Sequence, residues 1–232
     1  MATILHVNAS PRGSRSDSLR LAHHFIAAVQ DSAGDGFDIE TLNLFDPGAL
    51  PAFGQAAAAA KMAVFSGLDQ TPDQIQAWED ARAVFDQFAA ADAYVFNIPM
   101  WNAGVPYALK QWVDIVTQPG WSFGFDPGAG YFGLLKEKRA VAIHTSGVYA
   151  PGLPPAFGSD FSSPFFTDWL NFVGITDTTH VRMAPSATNT DLDGARHAAE
   201  VELKELAGTF AVHLRAGEAR AGDLQLAGDR AG

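Results

Sequence analysis

Short apolar runs alternate along this chain with longer stretches whose apolar residues recur every three or four positions. That alternation predicts βαβ units around a parallel sheet. Thr3-Ile4-Leu5-His6-Val7-Asn8 reads as a buried strand, and Leu19, Ala22, Phe25/Ile26 and Val29 follow at helical spacing. Asp38 to Leu44 alternates apolar and polar residues as a second strand, and Phe45-Asp46-Pro47-Gly48 turns the chain. The alanine-rich segment 50–68 is weakly patterned and reads as an excursion with one short helix. A better helix starts at Asp73 and carries Ile75, Trp78, Ala81, Phe85 and Phe88. Ala93 to Ile98 is a third strand, stopped by Pro99. The next helix opens at Pro106, a favourable first-turn residue, with Leu109, Trp112/Val113 and Val116 as its stripe. Trp121 to Phe125 predicts a short hairpin arm or flap ahead of the glycine-rich 128–133. Arg139 to His144 is a fourth strand, and a proline-rich loop covers 149–164. A helix over about 165–172, a strand over 179–183 and a closing helix over about 192–214 complete the pattern.

Five strands and about five helices predict one doubly wound α/β domain over 1–215, with 216–232 as a flexible Gly-, Ala- and Asp-rich tail. No repeat or domain boundary interrupts it. Two strand orders are common for such a sheet, and the pattern does not choose between them. In either, ligands sit beyond the carboxyl ends of the strands, so the loops after the first, third and fourth strands matter most.

Composition narrows the function classes. A formal net charge of −11 argues against binding a nucleic-acid backbone, and 47% hydrophobic residues with no long apolar run argue against a membrane span. The absence of cysteine excludes disulfides, thiol catalysis and thiolate metal sites. The chain opens directly on a strand pattern, so we expect no secretory leader and a cytoplasmic location.

The first loop, Ser10-Pro11-Arg12-Gly13-Ser14-Arg15-Ser16-Asp17-Ser18, joins a strand to a helix N-terminus and holds four serines and two arginines. Free helix amides and the positive dipole end make that junction an anion site. A dinucleotide fold would want G-x-G-x-x-G here, but Gly13 stands alone. The hydroxyls suit a terminal phosphate such as that of FMN. The second loop, Pro99-Met100-Trp101-Asn102-Ala103-Gly104-Val105-Pro106, is stiff and offers polarizable apolar surface for a planar ring. Asn102 adds a donor and an acceptor that can read a heterocycle edge. The third, His144-Thr145-Ser146-Gly147-Val148-Tyr149, brings small polar groups that suit carbonyl oxygens of a ring. His144 itself reads as a satisfied strand-end histidine. No second histidine stands near it at metal-ligand spacing, and we assign no metal.

Taken in order, these stretches resemble the FMN-dependent NADH azoreductase and quinone reductase family, of flavodoxin-like fold. The likeness is carried by Ser10 with Ser16-Asp17-Ser18, and by Pro99-Met100-Trp101-Asn102 with Val105-Pro106 and Leu109, Lys110, Trp112 and Asp114. Phe123 with the glycines through Gly133-Leu134-Leu135, and Gly147-Val148-Tyr149, complete it. The resemblance implies a flavodoxin-like five-stranded parallel sheet in the order 2-1-3-4-5 with helices on both faces. It implies that Ser10, Ser16, Asp17 and Ser18 contact the FMN phosphate. Pro99, Met100, Trp101, Asn102 and Ala103 would then wall the isoalloxazine, and His144, Thr145, Ser146 and Gly147 its pyrimidine end. By the same resemblance Tyr149 corresponds to a residue beside substrate and nicotinamide, and the site is expected between the subunits of a homodimer. The chain departs from the family at Ala103, where an aromatic is common, and at His144-Thr145-Ser146-Gly147, where Ser-Arg-Gly-Gly is common. The first change widens one face of the pocket; the second bears on the ring's N1/O2 environment and hence its potential.

With FMN bound, the expected reaction is ping-pong: NADH or NADPH delivers hydride to flavin N5, and a quinone or azo compound then takes it from the same pocket. No side chain is assigned as catalytic, because the flavin carries the hydride. A pocket serving both reactants should be broad and apolar, and Phe123, Phe125, Phe161 and Phe165 join Tyr149 as candidates for its rim. The rival reading is an electron-carrier flavoprotein without a small-molecule substrate, which the acidity favours and the segments 50–68 and 149–164 disfavour. A flavin-free binding module on the same fold is the third.

Overall fold

Strand β1 (Ala2–Asn8) is buried along almost its whole length because it pairs on both sides, with β2 (Phe37–Asn43) and β3 (Ala93–Pro99). Adding β6 (Arg139–Thr145) and β7 (Asp177–Met183) gives a five-stranded sheet in the order β2-β1-β3-β6-β7, parallel throughout. This is the flavodoxin-like arrangement implied by the resemblance. The computed structural model describes residues 1–34 and 36–229, with side chains described only as far as 215, so the tail expected at 216–232 lies outside the residues whose side chains are described.

Side-chain parity divides the core into two. Ile4, Val95, Val141 and Val181 face α1 (Asp17–Ala33), which buries Leu21, Phe25 and Val29, and α6 (Leu192–Asp229), which buries Leu203 and Phe210. Leu5, Val7, Phe96 and Ala142 face the other way, onto Phe88 of α3 (Pro72–Ala90), Trp112 of α4 (Tyr107–Val116) and Phe166 and Trp169 of α5 (Ser163–Val173). Strands apolar on both faces are what a sheet covered on both sides requires. The edge strand β2 instead alternates between half-buried and exposed residues.

Two local expectations gain detail and one boundary moves. The excursion 50–68 holds α2 (Gln55–Ser66), closed by Gly67 in the left-handed region (φ 63°), which packs on α3. Pro106 is the N-cap of α4 rather than its first residue, because its ψ of 144° is still extended. The glycine-rich 128–133 contributes the second strand of a separate hairpin, β4 (Phe123–Asp126) with β5 (Gly130–Gly133). A Cβ on Gly133 would lie 2.1 Å from the Gly174 nitrogen, so only glycine lets the hairpin close on the end of α5. The hairpin follows α4, ten residues or about 15 Å long, which carries the chain away from the 99–106 loop.

Candidate functional site

The carboxyl end of β1 feeds a single 3-10 turn (Gly13–Arg15) and then α1, whose N-cap is Ser16. The Leu19 N–H donates to Ser16 Oγ (3.2 Å), while the amides of a first helical turn have no partner inside the helix. Serine is a preferred N-cap, so the local sequence both starts the helix and lines its positive end with hydroxyls. Ser10, Ser16 and Ser18 are buried, whereas Arg12, Ser14 and Arg15 are exposed. Asp17 is drawn aside by Arg196 of α6 (3.3 Å), which also holds Asp193 (2.6 Å).

A buried polar network lies beneath this turn. The Ser10 N–H donates to Asn8 Oδ1 (3.0 Å), as does the Asn97 side-chain amide (2.8 Å). Asn97 also donates to Ser18 Oγ (3.4 Å) and lies 2.9 Å from His6 Nε2. Ser18 and Ser16 hydroxyls are 3.1 Å apart, and Asn8 donates to Asn43 Oδ1 (2.9 Å). Burial lowers the His6 pKa to about 4; the bond to Asn97 opposes that shift and nearby His23 adds to it. Sequence reading missed Asn8, Asn97 and His6. Their signal was present, since each is a polar residue inside an otherwise apolar strand.

In the second loop, Trp101 and Gly104 exchange backbone hydrogen bonds (2.9 Å each way) around Asn102 (φ 48°) and Ala103 (φ 66°). Both central residues are therefore left-handed, a conformation that asparagine tolerates and alanine resists. The Met100 N–H donates to the Thr145 carbonyl (2.7 Å) and ties this loop to the third. The Trp101 ring packs on Phe45 (5.5 Å between centroids) and Tyr107 (6.2 Å). It lines a cleft of about 630 Å³ with Phe53, Asn102, Val105, Tyr107 and Lys110. On the other side of Gly104 and Val105 an apolar pocket of about 470 Å³ is walled by Phe161, Pro164 and Phe165. The Phe161 N–H reaches the Ala103 carbonyl (2.8 Å), so the proline-rich loop is fastened to the turn.

The third loop is held from behind. Ser186 and Ala187 N–H groups donate to the carbonyls of Ser146 and Gly147 (2.8 Å each), and Ser146 Oγ donates to the Tyr149 carbonyl (2.5 Å). Thr145 and Ser146 are buried, Gly147 is exposed, and the half-buried Tyr149 ring lies 6.0 Å from the Arg182 guanidinium. The His144 ring belongs to the α5 face of the sheet, where it stacks on His180 (5.2 Å, 16°) with Nε2 3.0 Å from His180 Nδ1. Burial and then the neighbouring His180 and Arg182 push its pKa down to about 3, against the pull of Asp160. Arg182 pairs with Asp160 (2.9 Å) and donates to Ser163 Oγ (2.6 Å). His144 therefore reaches the loop through its backbone.

Phe161 and Phe165 thus meet the second loop, while Phe123 and Phe125 do not. Phe123 packs on Phe172 (4.8 Å) and Phe125 on Tyr131 (4.9 Å), in the hairpin beyond the far end of α4. Phe45, Phe53 and Tyr107 were not anticipated, because their grouping depends on how the β2 turn folds back over the Trp101 loop. Among the described residues no group of three or more His, Asp or Glu side chains could hold a metal ion, and no helix is long and apolar enough to cross a membrane.

Comparison with known proteins agrees with this architecture. A family model described as a flavodoxin-like fold matches residues 2–206. An FMN-dependent NADH:quinone oxidoreductase from Ruegeria pomeroyi is 44% identical over 191 residues, which cover 82% of this chain and 93% of the relative. One from Nitratidesulfovibrio vulgaris is 37% identical over 203 residues, covering 87% and 96%. Among solved structures, an FMN-dependent NADH-azoreductase from Bacillus anthracis in complex with FMN superposes with a TM-score of 0.81 at 25% identity, covering 91% of this chain and 100% of that one.

Proposed function

This chain belongs to the flavodoxin-like family of FMN-dependent NADH:quinone oxidoreductases, and from that premise we propose that it is an enzyme that binds FMN and uses NADH or NADPH to reduce quinones or azo compounds. The observation that carries the reading is the buried serine cradle at the N-terminus of α1, bonded through Ser18 to Asn97 of β3, the strand that runs straight into the left-handed turn at Asn102 and Ala103. The donor set fits the cofactor: hydroxyls of Ser10 and Ser16 with first-turn amides, that of Ser18 among them, suit a phosphate dianion. Asp17, bound by Arg196, adds its backbone amide and keeps its carboxylate turned aside.

Pro99, Met100, Trp101, Asn102 and Ala103 would then line one side of the isoalloxazine, with the Asn102 amide free to bond its edge. The backbone of His144 and the groups of Thr145, Ser146 and Gly147 would meet its pyrimidine end. Bound FMN would supply the redox chemistry, accepting hydride at N5 from the nicotinamide and passing it to the acceptor in a ping-pong cycle. The chain's own part is to orient the ring, exclude water with Tyr149, Phe161 and Phe165, and place donors where negative charge develops. No side chain is required as an acid–base catalyst.

Phe123 and Phe125 can join that rim only from a second copy, because their own hairpin lies beyond the far end of α4. We therefore include a homodimer with the site at its interface, one FMN per 1–215 domain, and a cytoplasmic location. The test is steady-state NADH oxidation by the yellow, FMN-loaded protein with a small quinone. Turnover with parallel double-reciprocal lines is expected. A flavin-loaded protein that passes no electrons to quinone without an added reductase would overturn the reading.

A further inference from the structure

Main-chain donors give the network beneath the cradle a direction. The Ser10 N–H can only donate, so the atom it meets 3.0 Å away on Asn8 is the oxygen, and the Asn8 nitrogen faces Asn43 Oδ1. The Asn97 atom that lies 2.8 Å from Asn8 Oδ1 must then be its nitrogen, and the Asn97 oxygen faces His6. His6 Nε2, 2.9 Å from that oxygen, must carry a proton. His6 Nδ1 is left bare, and it is buried without a partner. The second hydrogen on the Asn97 nitrogen goes to Ser18 Oγ (3.4 Å), and the Ser18 and Ser16 hydroxyls lie 3.1 Å apart, where either oxygen can donate to the other. Ser16 Oγ also accepts from the Leu19 N–H (3.2 Å). With Ser18 as the donor, both lone pairs of Ser16 Oγ are filled, and its own proton has none of these groups to go to.

We propose that Asn97, its amide oriented by His6, is a positioning residue for the cradle: it polarises the Asn97–Ser18–Ser16 relay so that the Ser16 hydroxyl is committed to donating to the phosphate of the bound nucleotide. An apolar residue would suit this buried strand position better on packing grounds alone, since a buried amide is tolerated only when fully hydrogen-bonded. Asn97 touches no ligand under this account; it acts through Ser18 and Ser16. The inference rests on the reading that the cradle holds an FMN phosphate.

The test compares FMN with riboflavin, which lacks the phosphate, in fluorescence titrations of the flavin-stripped full-length chain. Wild type should prefer FMN. In Asn97→Leu that preference should shrink roughly tenfold, the effect of weakening one hydrogen bond to a charged group, with riboflavin affinity held. Equal weakening of both ligands, or an unchanged ratio, would overturn the relay. A wild type without preference for FMN would instead overturn the cradle reading itself. Should Asn97→Leu fail to fold, the wild-type histidine tautomers decide by nitrogen NMR, with the His6 signal assigned from its loss in His6→Gln. An Nε2–H tautomer at His6 is expected, and an Nδ1–H tautomer would overturn the proposal.

Discussion

Each face of the sheet buries a histidine near the carboxyl edge, and the two differ in where their hydrogen bonds lead. His6, on the α1 face, starts a chain that runs through Asn97 and Ser18 to an N-cap hydroxyl at the edge of the cradle. His144, on the α5 face, meets His180, which continues to Thr167 Oγ1 (3.3 Å); beside them Arg182 is taken up by Asp160 and Ser163. The first network is open toward the cradle; the second leads away from it to Thr167 Oγ1 and is closed toward the cradle, while His144 Nδ1, like His6 Nδ1, finds no partner. Burial of a polar group therefore says little about function by itself; the far end of its hydrogen-bond chain says more.

Acid should strain both networks, with the largest effect. The pKa values of His6 and His144 fall from the ordinary 6.5 to about 4 and about 3, in each case chiefly through burial. Below pH 6.5 an unfolded chain binds protons that the fold excludes, so stability is lost as pH falls from 6.5 toward 4. Above 6.5 both rings are neutral in either state and contribute no slope. A loss of a few kcal/mol across that window is expected from urea midpoints. A flat profile would mean that the rings are not buried neutral.

Ser16→Ala attacks the open network at its outer end. FMN should bind roughly tenfold to a hundredfold more weakly by calorimetry, with about 1 kcal/mol less stability from the lost N-cap. His180→Leu attacks the closed one: unfolding should show a loss of about 1–2 kcal/mol from the unpaired His144 Nε2, while FMN affinity holds within about twofold. If His180→Leu loosened FMN as much as Ser16→Ala, the distinction between the networks would collapse. The smallest change is Ala103→Gly, which relieves a left-handed alanine and should stabilise the protein by about 0.5–1 kcal/mol.

Periodicity revealed the strands and helices because burial on a sheet and on a helix leaves different repeats. The strand order came with family likeness, since nothing local in β1 says that it pairs with both β2 and β3. The cradle was legible as an excess of serines beyond what capping needs. Its foundation was not, because Asn8 and Asn97 lie 89 positions apart and meet only when those strands become neighbours. Phe123 and Phe125 were grouped with the rim on residue type; the chain's path along α4 separates them from it. His144 was read as a satisfied strand-end residue, and its partners His180, Arg182 and Asp160 depend on a contact between β6, β7 and the proline-rich loop.

The most direct test of the account is a crystal structure of this protein grown with FMN. The account predicts the phosphate within hydrogen-bond distance of Ser10 and Ser16 at the start of α1, and the ring alongside Met100, Trp101 and Asn102. A phosphate bound elsewhere, out of reach of Ser10 and Ser16, would contradict it.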